Sequence, residues 1–355
     1  MPNILITGGA GFIGSHTCSV LIEAGYDIIV FDSFVNSSST SLQRVKEITG
    51  LNNTKDDLRL KIVQGDIRNK EALDRLFKMA AQRGQPIEAV IHFAALKSVS
   101  ESIKDPLNYW DVNVNGSGCL FSTMNSNNCR TLVFSSSATI YGAKKRSPIT
   151  EECIIQPINP YGNTKAAVEK MLLDVSTMNK NWRIANLRYF NPVGAHPSGC
   201  IGESPTGIPN NLFPIVTQVA IGSQRTLQVY GGNWPTTDKT CVRDYIHVMD
   251  LADGHLAALN YLRSKESEFL TLNIGSGKGY SVLDVVNSFE QATKQHINYK
   301  IVDPRPGDVA ETVADPTKAN QILGWKTRKT ILDMCLDSWR WQKNNPMGYN
   351  KEIQP

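Results

Sequence analysis

Apolar runs alternate with longer amphipathic segments through the first half of the chain. The runs are continuous and rich in β-branched residues, and they span Asn3 to Thr7, Asp27 to Phe31, Leu60 to Val63, Ala89 to Phe93 and Thr131 to Phe134. Helix-like segments lie between them, at Phe12 to Ala24, Lys70 to Gln82 and Pro106 to Met124. Continuous apolar strands that alternate with helices are typical of a parallel sheet covered on both faces. The pattern predicts an α/β fold with a Rossmann-type doubly wound parallel sheet.

The pattern changes after Arg188. Residues 191–211 hold several Pro and Gly and are expected to form an ordered loop. Beyond them, shorter strands and helices are predicted at Leu227 to Tyr230, Asp250 to Leu262, Leu270 to Asn273, Val282 to Lys294 and Tyr299 to Val302. We therefore predict a first domain over residues 1–190 and a smaller α/β lobe mainly over 191–355, with interleaved lobes and a ligand between them. The polar stretch from Asn36 to Asp57 is predicted as a surface connection with one short helix at Leu42 to Ile48.

Composition narrows the class of protein. The 355 residues carry 37 Lys and Arg against 33 Asp and Glu, and a net charge of +4 does not favour nucleic acid or a membrane surface as a partner. No apolar stretch approaches the roughly 18 residues of a membrane span. The seven cysteines form no C-x-x-C pair, and no His or Cys spacing predicts a metal site. We expect a cytoplasmic protein with reduced cysteines.

A glycine-rich turn follows the first predicted strand. Gly8, Gly11 and Gly14 in TGGAGFIGSH have G-x-x-G-x-x-G spacing where the strand meets a helix. This arrangement lets the backbone approach a pyrophosphate, and the helix N-terminus offers free N–H groups. Asp32 ends the second strand, where a carboxylate can accept from both ribose hydroxyls and would repel a 2′-phosphate. The spacing favours NAD over NADP as the cofactor. Asp66, after the third strand, suits an adenine amino group, although a turn-capping role fits it nearly as well.

Three side chains typical of dehydrogenase chemistry come next. Ser137 ends the serine run after an apolar strand, and Tyr161 and Lys165 share one face of a predicted helix. A tyrosine with its reference pKa of about 10 is a poor base at neutral pH, but a neighbouring ammonium favours the phenolate. We expect Tyr161 to be the base, Lys165 to lower its pKa and Ser137 to hold the substrate oxygen.

The motifs together carry a family resemblance. TGGAGFIGSH, HFAALKSVSES, FSSSATIYG, PYGNTK, LRYFNPVGAHPSG, GIPNNL and VRDYIHVMDLADGH run along nearly the whole chain, which resembles the UDP-glucose 4-epimerase family of the extended short-chain dehydrogenases/reductases. The resemblance implies an isomerase that inverts C4 of UDP-glucose and UDP-galactose through a transient 4-keto sugar and tightly bound NAD. It also implies a homodimer formed by the helices at Pro106 to Met124 and Tyr161 to Val175.

The resemblance further implies which residues hold each ligand. The cofactor set comprises the three glycines, Asp32, Asp66, Tyr161 and Lys165, together with Phe12, Ile13, Asn36, Ser37, Ile67, Phe93, Ala94, Ala95, Lys97 and Phe190. The UDP-sugar set comprises Ser137, Tyr161, Asn191, Asn211, Leu212, Arg243, Arg305, Asp308 and Thr312. The chemistry agrees, because arginine forks suit a diphosphate and a carboxylate can accept from ribose hydroxyls.

Two positions depart from the family pattern. Val112 stands where Asn is common, so one polar cofactor contact is expected to be missing. Thr312 stands where some members have Tyr, and our hypothesis is that the wider pocket also admits UDP-GlcNAc and UDP-GalNAc.

Other functions remain open at this point. A nucleotide-sugar 4,6-dehydratase would need a carboxyl pair beside the serine run, where this chain has Ala138 and Thr139. A decarboxylase on the same fold is an alternative of the same kind, and an NADPH-dependent reductase is disfavoured by Asp32. A catalytically inactive NAD sensor would not need Ser137, Tyr161 and Lys165 intact.

Overall fold

Seven parallel strands form the central sheet. The computed structural model describes residues 1–51, 59–143, 147–205, 209, 211–305 and 307–349. The strands of this sheet are β1 (Asn3–Thr7), β2 (Asp27–Asp32), β3 (Leu60–Gln64), β4 (Ile87–His92), β5 (Thr131–Ser137), β6 (Arg183–Tyr189) and β10 (Glu268–Ile274). Their order across the sheet is β3-β2-β1-β4-β5-β6-β10. The predicted Rossmann-type fold is confirmed.

Helices cover both faces of the sheet. One layer contains α1 (Phe12–Glu23), α2 (Ser39–Ile48), α9 (Val248–Arg263) and α11 (Thr317–Leu323). The other contains α3 (Lys70–Gln82), α4 (Val99–Lys104), α5 (Pro106–Trp110), α6 (Gly116–Ser126) and α7 (Pro160–Met178). The strands are buried from both sides, and the apolar residues of β1 show it: Ile4 and Ile6 pack into the first layer and Leu5 into the second. This two-sided burial explains the continuous apolar runs in the sequence.

The second lobe has its own small sheets and core. Its strands are β7 (Asn191–Val193), β8 (Leu227–Tyr230), β9 (Val242–His247), β11 (Gly279–Ser281), β12 (Tyr299–Val302) and β13 (Glu311–Thr312). Strand β9 pairs with β7, β11 and β13, and β8 pairs with β12. The helices are α8 (Leu212–Ala220), α10 (Val282–Thr293) and α12 (Ile331–Asn344). Phe213, Val286 and Met334 bring the three helices into one buried cluster.

The structure differs from the sequence prediction at four elements. The helix predicted at Asp250 to Leu262 in the second lobe is α9, which packs on the central sheet because Leu251 and Leu259 are buried in its first helix layer. The strand predicted at Leu270 to Asn273 belongs to the central sheet rather than the second lobe, because Leu270, Leu272 and Ile274 bury against its first helix layer beside β6. The helix predicted over Pro106 to Met124 contains a π-helical turn at Asp111–Asn115. The short helix predicted near Leu42 begins at Ser39, and residues 52–58 of that connection lie outside the described part of the chain.

Candidate functional site

The predicted site residues gather at the carboxyl edge of the central sheet. The strand order changes direction between β1 and β4, and doubly wound sheets bind ligands in the crevice at that point. Gly8 follows β1, Asp32 ends β2, Phe93 follows β4 and Ser137 ends β5. The parallel register therefore brings residues that are far apart in sequence to one edge.

The glycine turn fits a pyrophosphate at one of its three positions. Gly8 has φ +71°, and a Cβ there would lie 2.6 Å from the backbone nitrogen of Ala94. A Cβ on Gly14 would lie 2.5 Å from the carbonyl oxygen of Gly8, so these two glycines are required by the protein itself. A Cβ on Gly11 would meet only that same oxygen, at 3.4 Å, and no side chain caps the start of α1. Gly11 thus leaves open space at a helix N-terminus with free N–H groups, which suits a dinucleotide phosphate.

Asp32 is held in place by three donors. Its Oδ2 accepts from the N–H of Ala10 at 2.9 Å, and its Oδ1 accepts from the N–H of Phe34 and the hydroxyl of Ser37, both at 2.9 Å. The side chain is 6% exposed. Its carboxylate is therefore oriented at the end of β2, where a ribose would lie.

The other predicted cofactor residues divide into three groups. Phe93 and Ala94 donate their backbone N–H groups to the carbonyl of Thr7, so the end of β4 lies directly beside the glycine turn. Of the remaining members, Phe12, Ile13, Ile67 and Ala95 are buried or half-buried, and Asn36 is exposed. Two members are bound elsewhere: Asp66 pairs with Arg68 at 2.6 Å, and Lys97 lies 3.4 Å from Glu203.

Asp66 was considered both for a turn-capping role and for an adenine contact, and the structure shows the turn-capping role. Its Oδ1 accepts from the N–H of Arg68 at 2.9 Å, which is the turn-capping contact. The Arg68 guanidinium also holds the pKa of this carboxyl below its ordinary value. Arg68 bridges to Asp111 at 2.7 Å. The carboxylate of Asp66 is thus engaged with the protein, and the adenine contact stays a prediction.

Tyr161, Lys165 and Ser137 come together where α7 crosses the end of β5. Pro160 begins α7, and Asn159 caps it by accepting from the N–H of Gly162 at 2.8 Å. The Nζ of Lys165 lies 5.9 Å from the centre of the Tyr161 ring, so the i and i+4 side chains share the expected face.

Hydroxyl groups orient Ser137. Its Oγ accepts from the hydroxyl of Thr139 at 2.9 Å and from the Thr139 N–H at 3.2 Å. Because both of these groups are donors, the Ser137 hydroxyl retains its own proton for another acceptor. The Ser137 side chain also lies beside the phenol of Tyr161. The serine is therefore placed to serve as a donor between Thr139 and a bound substrate.

Burial dominates the electrostatics of this pair. It raises the pKa of Tyr161, and the hydrogen bond from Ser137 lowers it in part. Burial also lowers the pKa of Lys165 to about 7, while the negative charge of Glu169 acts in the opposite direction. In the protein without ligands, burial and Ser137 account for the shifted pKa of Tyr161, and Lys165 does not contribute to it. The expected lowering of the Tyr161 pKa by Lys165 stays a prediction for the enzyme with its ligands bound.

Apart from Ser137 and Tyr161, the predicted substrate residues lie on strands, loops and a helix start of the second lobe. Nη1 of Arg243 donates to the carbonyls of Val242 and Val309 at 2.9 and 2.8 Å, which fixes the guanidinium. Asp308 lies 3.9 Å from Arg243 and 3.1 Å from Arg305. These three side chains form one charged cluster, which we call the second-lobe cluster.

The other substrate positions border this cluster or the edge of the main sheet. Thr312 pairs with Arg243 in the register of β13 and β9. Asn191 donates to the Asp244 carbonyl at 3.1 Å, and Asn211 donates to Glu203 at 2.9 Å. Leu212 begins α8. Phe190, which was predicted as a cofactor residue, is buried in a cluster that includes Ile140 and Ala314.

Sequence analysis missed four residues that the geometry connects to the site. Glu203 bridges Lys97 and Asn211, and the Tyr230 ring lies 4.7 Å from the Arg305 guanidinium. Glu169, one turn after Lys165 on α7, forms a buried ion pair with Arg188. Only Glu169 had a sequence signal, since it follows Lys165 by four residues on the same helix. Val112, the departure near the cofactor, is half-buried in the π-helical turn.

Two features are absent from the described ranges. No helix there is long and apolar enough to cross a membrane. No group of three or more His, Cys, Asp or Glu residues in those same ranges could hold a metal ion.

A family model, proteins of related sequence and solved structures all match nearly the whole chain. A sequence model of the GDP-mannose 4,6 dehydratase family matches residues 5–337. A UDP-glucose 4-epimerase of Bacillus subtilis (strain 168) is 50% identical over 347 residues, which cover 98% of each chain. The structure of a UDP-glucose-4-epimerase from Stenotrophomonas maltophila with bound NAD and formylated UDP-arabinopyranose has a TM-score of 0.92 at 44% identity, covering 98% of this chain and 99% of that one. The UDP-Glc/GlcNAc 4-epimerase of Campylobacter jejuni has a TM-score of 0.81 at 30% identity, covering 97% of this chain and 100% of that one.

Proposed function

The chain belongs to the UDP-glucose 4-epimerase family of extended short-chain dehydrogenases/reductases, and from that premise we propose that Tyr161 is its catalytic base. The protein is an isomerase that interconverts UDP-glucose and UDP-galactose at C4 through a transient 4-keto sugar, with NAD as a tightly bound cofactor. The observation that carries the residue assignment is the meeting of Tyr161, Lys165 and Ser137 at the carboxyl edge of β5.

The cofactor fits the residues of the first domain. The open space at Gly11 and the uncapped start of α1 suit the pyrophosphate, and the oriented Asp32 suits the adenosine ribose. When bound, NAD supplies the acceptor and the donor for the hydrogen at C4. Lys165 would hold the nicotinamide ribose of the bound cofactor, and its ammonium would stabilise the Tyr161 phenolate. We also propose the division at about residue 190, with α9, β10 and α11 assigned to the first domain.

Proton transfer follows from the hydrogen bonds at β5. Tyr161 removes the proton from the 4-OH, and the Ser137 hydroxyl can donate to the same oxygen because Thr139 fills its acceptor positions. The oxygen is thereby held for removal of hydrogen from C4. The same groups return the proton after the keto sugar presents its opposite face.

Firm binding of the nucleotide and loose binding of the sugar are both required for inversion. Arg243 and Arg305 offer guanidinium forks to the diphosphate, and Asp308 can accept from ribose hydroxyls. Asp308 now lies near both guanidinium groups, so it offsets part of their positive charge before the substrate arrives and leaves a net positive charge for the diphosphate. The anchor lies in the second lobe, away from C4, which leaves the sugar free to turn.

The direct experiment incubates purified protein with UDP-galactose and no added NAD, then analyses the nucleotide sugars. We expect UDP-glucose to form, because the cofactor purifies with the protein. A substrate carrying deuterium at C4 should yield product that keeps the label at C4. Loss of deuterium to solvent would exclude return of the same hydrogen and reject the proposed mechanism.

N-acetylated substrates are a proposed extension of the same site. Thr312 is a small residue beside Arg243 at the predicted sugar pocket. The related Campylobacter jejuni enzyme is itself a UDP-Glc/GlcNAc 4-epimerase. Conversion of UDP-GlcNAc to UDP-GalNAc by the purified protein would support the extension, and complete inactivity on the acetylated sugar would reject it.

A homodimer is proposed from the surface of α5, α6 and α7. Leu107 is 80% exposed, Trp110 41% and Leu173 40%, and a groove between these helices is lined in part by Val114 and Met171. Large apolar side chains on neighbouring helices are typical of a subunit interface. Light scattering should give twice the chain mass, and Leu107→Glu should reduce it to the mass of one chain.

The free cysteines support the proposed cytoplasmic location.

A further inference from the structure

A buried ion pair lies one turn of α7 beyond Lys165. Glu169 follows Lys165 by one turn of α7, and the side chains of Glu169 and its partner Arg188 are each 6% exposed. Nη2 of Arg188 lies 2.7 Å from Oε2, and Nε lies 3.1 Å from Oε1. The hydroxyl of Ser136 also donates to Oε1. This two-pronged contact joins α7 to both β5 and β6.

Arg188 is fixed from its other side as well. Its Nη1 donates to the hydroxyl of Tyr141 at 2.9 Å and to the carbonyl of Glu151 at 3.2 Å. The Tyr141 hydroxyl in turn donates to Asn273 at 2.6 Å. The ion pair therefore has one geometry, set by groups from four segments of the chain.

Lys165 needs an opposite charge, because its ammonium is buried. The residue is 3% exposed, and its Nζ donates to the Ser135 carbonyl at 2.6 Å. The same nitrogen lies 4.9 Å from the centre of the Phe134 ring. A carbonyl and an aromatic ring are neutral, so they compensate only part of the cost of burying a charge. That cost lowers the pKa of Lys165 to about 7, against the effect of Glu169.

Three titratable groups face Lys165, and a fourth, charged group is paired with one of them. Tyr161 and Glu169 come from its own helix and His92 from β4, and Arg188 of β6 is the charged partner of Glu169. Burial lowers the pKa of His92 to about 3, so this ring is neutral at working pH. Among these four groups, Glu169 is the one that carries a negative charge while the phenol is protonated.

We propose that Glu169 is a positioning residue for the epimerase reaction, whose carboxylate keeps Lys165 charged and holds the end of β5 against α7. The inference rests on the proposed function, in which a charged Lys165 stabilises the phenolate of Tyr161. Ser136, which donates to Glu169, lies between Ser135 and Ser137. The anchored strand therefore fixes both the carbonyl that binds Lys165 and the hydroxyl that binds the substrate.

The test measures the pKa of Lys165 by NMR titration of protein with isotope-labelled lysine, and the signal is assigned by its loss in Lys165→Met. In Glu169→Gln, which keeps the shape and removes the charge, we expect the pKa of Lys165 to fall by about one pH unit. The fall of kcat at high pH should move in the same direction, because the active form carries a charged lysine.

A second variant guards against misfolding. Glu169→Gln leaves Arg188 buried and unpaired, whereas Glu169→Gln/Arg188→Gln removes both charges and avoids that defect. We expect a smaller downward shift in the double variant. Asp174→Asn removes a carboxylate from an exposed ion pair with Lys170 on the same helix and should leave the pKa of Lys165 unchanged.

The positioning role of Glu169 and the proposed epimerase function can be disproved separately. A pKa of Lys165 that stays within about 0.3 unit of wild type in a folded Glu169 variant would overturn the positioning role, even with epimerase activity intact. Absence of UDP-galactose conversion by the wild-type protein would instead count against the proposed function. The NMR titration would still decide the inference, since it needs no turnover.

Discussion

The cofactor side and the substrate side of the site are built in different ways. On the cofactor side, Asp32 and Lys165 are buried and oriented by backbone and hydroxyl groups at the ends of parallel strands. On the substrate side, Arg305 is half exposed and contacts Asp308, which also lies near Arg243. The first arrangement is ready for its ligand, whereas the second must exchange partners to bind one.

This difference matches the demands of inversion at C4. A buried, pre-oriented site loses little freedom on binding and favours a ligand that stays bound. A cluster of two guanidinium groups and one carboxylate keeps a net positive charge that attracts a diphosphate, and its partly exposed ion pairs are weak enough to exchange repeatedly. We therefore expect substitutions on the cofactor side to affect chemistry and cofactor retention, and those on the substrate side to affect KM.

The largest expected effect comes from the base itself. Tyr161→Phe should lower kcat by roughly 10³-fold, because removal of a general base costs about 10² to 10⁴ in rate. Bound NAD should remain, since the ring and the glycine turn are intact. Turnover of UDP-galactose and the NAD content of the purified variant would be measured together. Wild-type turnover in the variant would disprove the assignment of Tyr161.

Alanine substitutions at Gly14 and Gly11 distinguish a glycine that the packing of the protein requires from one that NAD binding requires. Gly14→Ala should destabilise the chain by about 1–3 kcal/mol, because the new Cβ would lie 2.5 Å from the Gly8 carbonyl. Gly11→Ala should leave the stability of the NAD-free protein nearly unchanged and weaken NAD binding, since its Cβ meets only that oxygen at 3.4 Å.

Thermal unfolding of NAD-free protein, followed by NAD titration, separates the two glycine variants. Equal loss of stability in both would show that Gly11 is required by packing rather than by a phosphate.

The arginines test the substrate side. Arg243→Met should raise KM for UDP-galactose by about 10- to 100-fold, the range of a lost hydrogen bond to a charged group. Arg305→Met should have a smaller effect, because the Arg305 side chain is 51% exposed against 19% for Arg243. Steady-state kinetics with NAD content as the control would test both. Loss of NAD from either variant would contradict the division of the site into two sides.

The same division explains what the sequence could predict. The strands of the first domain and the positions of Gly8, Asp32 and Ser137 follow from local patterns, because parallel strands place their carboxyl ends at one edge. The association of β10 with β6 could not be predicted, since a short strand with apolar residues fits either sheet. Glu203 was also missed, because its contacts with Lys97 and Asn211 join loops separated by 106 and 8 residues.

The finest test concerns which sugar the substrate side accepts. Thr312→Tyr would add a ring beside Arg243, and we expect KM for UDP-GlcNAc to rise about tenfold relative to that for UDP-galactose, because an acetamido group needs more room than a hydroxyl. Thr312→Val, which keeps the size, serves as the control and should preserve the ratio. Kinetics with both sugars would measure it. An unchanged ratio in Thr312→Tyr would mean that the sugar does not approach β13, and the width of the pocket would then be set by other residues of the edge.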